Sequence, residues 1–171
     1  MHCAIVVLLI ATASCGVDQI SDLFTFSISR NSTIFEPKTD TAGATFEQSF
    51  ALSLGAALDS NGTNAALVHN VKLDRAIVIS SASNLQRFKN IQLYASSDSM
   101  SERLVASLAT VLLSQKHELD LAPQLADLHQ AFAAEPIRLR LKATLVSAPV
   151  SDDSLSLVTH FAVLAEPVSP P

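Results

Sequence analysis

The chain has few of the residues that build familiar catalytic and recognition sites. It contains no tryptophan, one tyrosine, four glycines and two cysteines among its 171 residues. Four scattered glycines cannot form the glycine-rich loops that bind phosphate groups, so the usual nucleotide-binding motifs are excluded. The scarcity of Trp and Tyr also argues against a carbohydrate-binding module, because such modules stack sugar rings on these side chains.

Basic clusters are missing too. The chain has 11 basic and 16 acidic residues, spread along its length, and a formal net charge of −5. This balance argues against nucleic-acid binding and gives no polybasic membrane patch. Both cysteines, Cys3 and Cys15, lie near the N-terminus, so the rest of the chain has no internal disulfide. No cofactor and no metal are predicted.

The N-terminus has the features of an export signal. An apolar run extends from Ala4 to Ala11 and is followed by Thr12-Ala13-Ser14 and then Cys15. A helix needs roughly 20 apolar residues to span a bilayer, so this run is too short to be a transmembrane helix. Its length suits the apolar core of a signal peptide.

These residues resemble the lipobox of bacterial lipoproteins. Ala13, Ser14 and Cys15 match that pattern, whereas Thr12 stands where leucine is usual, and Met1-His2 lacks the expected positive charge. The resemblance implies cleavage before Cys15, acylation of its thiol and a lipid anchor in the bacterial cell envelope. Gly16, in place of an inner-membrane retention aspartate, implies delivery to the outer membrane, facing the periplasm or the cell surface.

Two other interpretations of this segment stay open. Ala11-Thr12-Ala13 has the A-x-A pattern of an ordinary signal-peptidase site, so cleavage after Ala13 would give a plainly secreted protein with a free thiol at Cys15. Alternatively, the run is a buried first strand with an incidental cysteine.

The sequence predicts a signal peptide at 1–14, an anchor and tether at 15–22, one domain at 23–166 and a Pro-rich tail at 167–171. Alternating apolar and polar residues in the domain indicate seven or eight strands joined by polar turns. We therefore expect an all-β fold: an antiparallel two-sheet β-sandwich, roughly immunoglobulin-like. Residues 104–113 fit both a strand and a helix. We favour a strand, and a helix there would give an α+β fold instead.

One helix is expected, over residues 123–134. Leu125, Leu128, Ala131 and Phe132 recur at three- and four-residue spacing, and Pro123 suits a first helical turn. A separate feature is Arg75, which interrupts the apolar face of a strand and predicts either a bulge or a side chain that reaches outward.

Arg138, Arg140 and Lys142 alternate with apolar residues, so they share one face of a predicted strand. They form a candidate site for an anion, such as a lipid headgroup or an acidic glycan. The alternative is a solvated outer face whose like charges discourage edge-to-edge pairing.

Other polar groups predict no active centre. Four candidate metal ligands do not converge on one strand face, and we expect them at the surface: His117, Glu118, Asp120 and His129. Asp152-Asp153 could contribute to a calcium site but is typical of a simple turn. His160 is expected on an outward face. No catalytic residue is assigned.

Together these features predict a non-enzymatic envelope lipoprotein. Cys15 would hold it at the membrane, and its domain would act as a binding or structural module with a protein or glycan partner. A periplasmic ligand- or glycan-binding module and a hydrolase with an unrecognised site are the alternatives. A deep pocket lined by polar residues would favour the binding module, and a cluster of His, Asp and Glu would favour the hydrolase.

Overall fold

The computed structural model of the protein describes residues 23–36, 41–81, 85–111, 117–133, 136–148 and 153–168. These residues form eight strands: β1 (Phe24–Glu36), β2 (Thr45–Leu52), β3 (Val68–Ser80), β4 (Phe88–Ser96), β5 (Arg103–Thr110), β6 (Glu118–Pro123), β7 (Ile137–Leu145) and β8 (Asp153–Ala165). Two short helices, α1 (Gly55–Ser60) and α2 (His129–Ala133), and two 3-10 turns, Ala65–Leu67 and Leu85–Arg87, lie between them. The segment predicted to carry the signal, Cys15 and the tether lies outside the described residues.

All strand pairs are antiparallel, which confirms the all-β prediction. The strands form one curled sheet in the order β1-β8-β3-β6-β5-β4-β7-β2. Among the described residues, strand pairing links its two four-stranded halves between β5 and β6, at Ala106 with Pro123 and Ser107 with Ala122. The sheet is therefore continuous, where two separate sheets were expected, because the end of β6 extends beyond its pairing with β3 and reaches β5.

The immunoglobulin-like part of the prediction is wrong. In an immunoglobulin domain the first two strands are neighbours in one sheet. Here β1 pairs with β8 along its whole length, and β2 pairs with β7. Alternating residues indicate which face of a strand is buried, but many strands share that pattern, so it does not specify which strands pair.

The inner faces of both halves share one hydrophobic core. Leu139 and Leu141 from one half, and Leu157 and Phe161 from the other, are each at most 2% exposed. Phe132 of α2 closes this core by meeting the edge of the Phe161 ring, with centroids 5.7 Å apart. The domain thus buries α2 and both halves of the sheet together.

The predicted helix over 123–134 is too long. Residues 118–123 are a strand, and the helix begins only at His129. Pairing with β5 draws Pro123 into the sheet. The carboxylate of Asp127 then accepts hydrogen bonds from the backbone N–H groups of His129 and Val71, at 3.0 and 3.3 Å, which sets the start of the helix. Leu125, expected on the apolar stripe, is 97% exposed.

Two other predictions about the strands are confirmed, and one turn prediction is wrong. Residues 104–110 of the ambiguous segment lie in strand β5, and its last two residues, 112 and 113, lie outside the described residues. The register between β3 and β8 shifts between Leu73 and Arg75, which is the bulge that Arg75 indicated. By contrast, the polar composition of Asn31-Ser32-Thr33 predicts a turn, but these residues lie within β1, because β8 is equally long and pairs with every residue of β1.

The described loops gather at two ends of the sheet. The registers place the start of β1, the end of β8 and the start of β3 together, and β6 runs toward the same end from its pairing with the second half of β3. We call this the helix end; it comprises Leu23, residues 53–67, 97–102 and 124–128, both helices and residues 166–168. The opposite end carries Ser81, Leu85–Arg87 and residues 146–148.

Candidate functional site

The basic row lies on β7 as the sequence predicted. Arg138 is exposed, and Arg140 and Lys142 are half-buried, all on the face opposite the core. Acidic groups surround this row. Arg138 contacts the carboxylate of Asp98 at 2.7 Å, and Arg140 Nη1 donates to Glu47 Oε1 at 2.8 Å.

Arg140 also holds Glu102 through two contacts. Its Nε donates to Glu102 Oε1 at 2.7 Å, and its Nη2 donates to the other carboxylate oxygen. These hydrogen bonds lower the pKa of Glu102 below its usual range, with Lys142 adding to the effect, and they raise that of Arg140 further above its usual range. The guanidinium stacks 4.8 Å from the Tyr94 ring centroid.

These contacts give the basic row on β7 a structural role. Arg140 ties β7 to β2 through Glu47 and to the 97–102 loop through Glu102, while Lys142 lies opposite Glu47 in the β2–β7 register. An anionic ligand would have to compete with three carboxylates. Anion binding by these residues stays a prediction.

A second charged cluster, which the sequence did not reveal, is fully buried at the opposite end. Asp153 Oδ2 accepts hydrogen bonds from Arg87 Nη2 at 2.7 Å and from the Ser80 hydroxyl at 2.6 Å. The Ser81 hydroxyl donates to the other oxygen at 2.9 Å. The side chains of Arg87 and Asp153 are each 1% exposed, and the Arg87 guanidinium lies 4.7 Å from the Phe88 ring centroid.

Each member of this cluster stands at the boundary of an element. Ser80 ends β3, Arg87 ends a 3-10 turn and Asp153 begins β8. The cluster therefore joins three segments that are distant in sequence. Since Asp153 is buried and bound by three donors, it is not the surface calcium ligand considered for Asp152-Asp153; Asp152 lies outside the described residues. No pattern in the sequence indicates that Arg87 pairs with Asp153.

The candidate metal ligands do not come together. Glu118 and Asp120 both contact the exposed Arg75, at 3.5 and 2.9 Å. The hydrogen bonds that Arg75 donates to the Asp120 carboxylate are the main cause that raises the pKa of this arginine. At the start of α2, His129 Nδ1 lies 3.7 Å from Asp127 Oδ2. Within the described part of the chain, no three His, Cys, Asp or Glu side chains are grouped to hold a metal ion. The surface placement predicted for Glu118 and Asp120 is confirmed.

Two hollows formed by described residues are small and open to solvent. One of about 180 Å³ lies along Asn90–Gln92 and Ser107–Ala109, and another of about 200 Å³ lies beside Ser49, Phe50, Ala51 and Arg138. Pockets that enclose small ligands usually measure roughly 300–1,000 Å³. A gap of about 10 Å³ between the sheet halves is lined entirely by apolar side chains and should stay dry.

None of the helices in the described ranges is long and apolar enough to cross a membrane.

No protein-family model matches the chain, and no curated protein does. Solved structures from three viruses show weak structural similarity. That of Desmodium yellow mottle tymovirus is 13% identical with a TM-score of 0.34, covering 100% of this chain and 95% of that chain. That of Cocksfoot mottle virus is 15% identical with a TM-score of 0.32, covering 99% and 96%. An empty-head structure of Turnip yellow mosaic virus is 10% identical with a TM-score of 0.30, covering 99% and 91%. TM-scores this low carry no conclusion about function.

Proposed function

We propose that the protein is a bacterial cell-envelope lipoprotein, acylated at Cys15, whose β-domain is a non-enzymatic binding or structural module held at the outer membrane. The observation that carries this proposal is the position of Cys15. It follows the apolar run and the small residues Ala13-Ser14 directly, and it precedes Phe24, where the first strand begins, by nine positions. A lipid on Cys15 would thus be joined to the domain by a short tether.

The way in which the domain would act is inferred from its surface. The two hollows are small and open, and the basic row on β7 is paired with acids, so the surface offers broad faces for contact with a protein or glycan partner. The fold supports this use, because β7 presents Arg138, Arg140 and Lys142 on the face opposite the core.

We also propose that the curled sheet is a sandwich of the jelly-roll type. The strands fall into two groups, β1-β8-β3-β6 and β2-β7-β4-β5, and the chain crosses from one group to the other after every strand except β4, which is followed by its neighbour β5. Both groups bury their inner faces in one core. Jelly rolls have eight strands in two such layers. This arrangement supports the predicted sandwich while replacing its immunoglobulin-like order.

The lipid anchor is tested by intact-mass analysis of the mature protein from a bacterial host with a lipoprotein pathway. We expect the unsubstituted chain to begin at Cys15 and to carry a lipid mass increment. The variant Cys15→Ala should lose that increment. Cys3→Ala is the matched control, since Cys3 precedes the cleavage point and its substitution should leave the mature mass unchanged.

Two outcomes would contradict the proposal. An unmodified product that begins at Ser14 would mean plain secretion. A product that retains Met1 and stays in the cytosol would remove the export role altogether.

A further inference from the structure

An asparagine–glycine pair stands in an exposed turn at the helix end. Asn61 directly follows α1, and it is the one asparagine of the chain that precedes a glycine. Gly62 has a φ of +71°, in the left-handed region that favours glycine. Both residues are exposed, and no described atom outside the neighbouring residues lies within 4 Å of the place that a Cβ on Gly62 would take. The backbone nitrogen of Gly62 is therefore not shielded by a side chain.

Asparagine is chemically labile, and before glycine it can react with its own backbone without an enzyme. The Gly62 nitrogen attacks Cγ of Asn61, a C–N bond forms, and the side-chain nitrogen leaves as ammonia with the proton of the Gly62 N–H. Water then opens the succinimide ring. Hydrolysis at Cγ gives aspartate, whereas hydrolysis at the main-chain carbonyl carbon gives isoaspartate, whose backbone runs through the side chain. The balance is one water consumed and one ammonia released.

The folded turn holds the pair in an unreactive geometry. Ring closure needs the Gly62 nitrogen on the same side as the Asn61 Cβ, but at the observed ψ of 11° this nitrogen nearly eclipses the Asn61 backbone nitrogen. The Gly62 N–H donates to the Asp59 carbonyl at 3.0 Å. The Asn61 side chain donates through Nδ2 to the Ala57 carbonyl at 2.7 Å. The turn must open at these hydrogen bonds before the ring can close.

The same turn also holds the residues that follow β8. The Gly62 carbonyl accepts a hydrogen bond from the Val168 N–H at 2.8 Å. The hydroxyl of Thr63, which is 1% exposed, donates to the Glu166 carbonyl at 2.7 Å. We call these two hydrogen bonds the tail contact. Because their partners in the turn directly follow Asn61, a turn that opens there also loosens the tail contact.

We propose that Asn61 is a site of spontaneous deamidation, which the folded turn keeps slow and which releases the tail contact once it has occurred. An ionised carboxylate only accepts hydrogen bonds, so the bond to the Ala57 carbonyl is lost. The new negative charge lies beside the carbonyl groups at the end of α1 and two positions after Asp59, and both repel it. Isoaspartate also lengthens the backbone and so displaces Gly62.

Peptide mapping by mass spectrometry tests the first step. The chain is incubated at mildly alkaline pH in native buffer and in urea, and deamidation is followed at Asn61 and Asn31. Asn31 is the internal control, because it also precedes a small residue, Ser32, but lies within β1. We expect Asn61 to convert at least about tenfold more slowly in native buffer than in urea, because the hydrogen bonds of the turn must first open.

The variant Thr63→Val keeps the side-chain shape but removes one hydrogen bond of the tail contact. Asn61 should then convert faster in native buffer and at an unchanged rate in urea. Ser99→Ala is the matched control, because the Ser99 hydroxyl donates to the Gln130 carbonyl at 2.7 Å elsewhere at the helix end. It should leave the rate at Asn61 unchanged. The rate at Asn31 should stay constant in both variants, since the rest of the domain remains folded.

Amide hydrogen exchange tests the second step. The variant Asn61→Asp carries the product side chain and should accelerate exchange at Glu166 and Val168. Asn64→Asp is the matched control, because it adds the same charge to the same loop. The Asn64 side chain accepts a hydrogen bond from the Ala66 N–H at 3.0 Å, and a carboxylate accepts it equally well. Exchange at the two tail residues should therefore stay unchanged in this control.

Different outcomes would overturn the two steps. Equal conversion of Asn61 in native buffer and in urea, or a rate in Thr63→Val no faster than in the unsubstituted chain, would mean that the fold does not control the reaction. Unchanged exchange in Asn61→Asp, or equal acceleration in both aspartate variants, would mean that deamidation does not release the tail contact.

Discussion

The two arginine clusters use the same chemistry in opposite environments. Arg87 and Arg140 each contact a carboxylate at 2.7 to 2.8 Å, and each stacks on an aromatic ring less than 5 Å away. The side chain of Arg87 is 1% exposed, whereas that of Arg140 is 25% exposed and its partner Glu47 is 44% exposed. Burial therefore decides how much each pair contributes.

The physical reason is solvation. Removing one partner of a buried ion pair typically costs about 3–5 kcal/mol, because the other charge stays in a low-dielectric interior. An exposed pair is worth about 0–1 kcal/mol, since water and salt screen it. We infer that the Arg87 cluster holds the opposite end of the domain together, whereas the Arg140 cluster mainly orients the outer face of β7.

The largest effect is expected from Asp153→Asn. This change keeps the side-chain shape but removes the charge that faces Arg87, so the free energy of unfolding should fall by about 3–5 kcal/mol. Urea unfolding of the mature domain measures the loss. Asp98→Asn is the matched control, because Asp98 is 70% exposed beside Arg138, and it should cost at most about 1 kcal/mol. Similar losses in the two variants would contradict the comparison.

A smaller loss is expected when both charges are removed together. In the double variant Arg87→Met/Asp153→Leu, apolar side chains replace the pair, so no uncompensated charge remains. Replacing a buried ion pair in this way is often neutral or stabilising. Unfolding measurements on the double variant and on each single variant complete a double-mutant cycle. If the double variant is as unstable as the sum of the singles, the two residues do not act as a pair.

Arg140→Lys tests the exposed cluster. Lysine keeps the charge but cannot hold Glu102 with two parallel donors, nor stack flat on Tyr94. The expected cost is below about 1 kcal/mol and should shrink in 1 M salt, where the Debye length is about 3 Å. Arg103→Lys is the control, because Arg103 is exposed on β5, which β4 separates from β7, and this change should be neutral. A salt-independent loss above 2 kcal/mol would mean that Arg140 acts through packing.

The smallest effect concerns pH. Arg140 lowers the pKa of Glu102 in the folded state below the value of about 4.5 expected in the unfolded chain. The contact therefore contributes fully to stability at a pH above 4.5, and this contribution is lost as the pH falls through the lower pKa of the folded state. Glu102→Gln should therefore reduce stability slightly at pH 7 and have a smaller effect at pH 2. Urea unfolding at the two pH values measures this. A larger difference between variant and parent at pH 2 than at pH 7 would reverse the assigned sign.

The alternation of apolar and polar residues predicted most strands correctly, but it did not predict which strands pair. Leu139 and Leu141 alternate with Arg138 and Arg140, and the structure places them on opposite faces of β7 as expected. The Asn31-Ser32-Thr33 segment misled the prediction, since its turn composition is overridden by pairing with β8 along 13 residues. Such pairing depends on residues more than 100 positions away, which no local pattern contains.

The start of α2 and the acidic partners of the basic row also could not be predicted from the local sequence. The spacing of Leu128, Ala131 and Phe132 correctly indicated a helix, but only contact with β5 and Val71 set where it begins. The basic row was visible in the sequence, while its acidic partners Glu47, Asp98 and Glu102 belong to other segments.

The sequence alone was sufficient to predict an antiparallel β-protein and the buried face of most strands, and it shows an apolar run and Cys15 ahead of the first strand. These are local properties, set by the two-residue period of a strand and by runs of neighbouring residues. Only the tertiary structure decided the strand order, the start of α2 and the burial of Arg87 with Asp153. Each of these depends on long-range pairing and on exclusion of water, and both arise only when distant segments pack together.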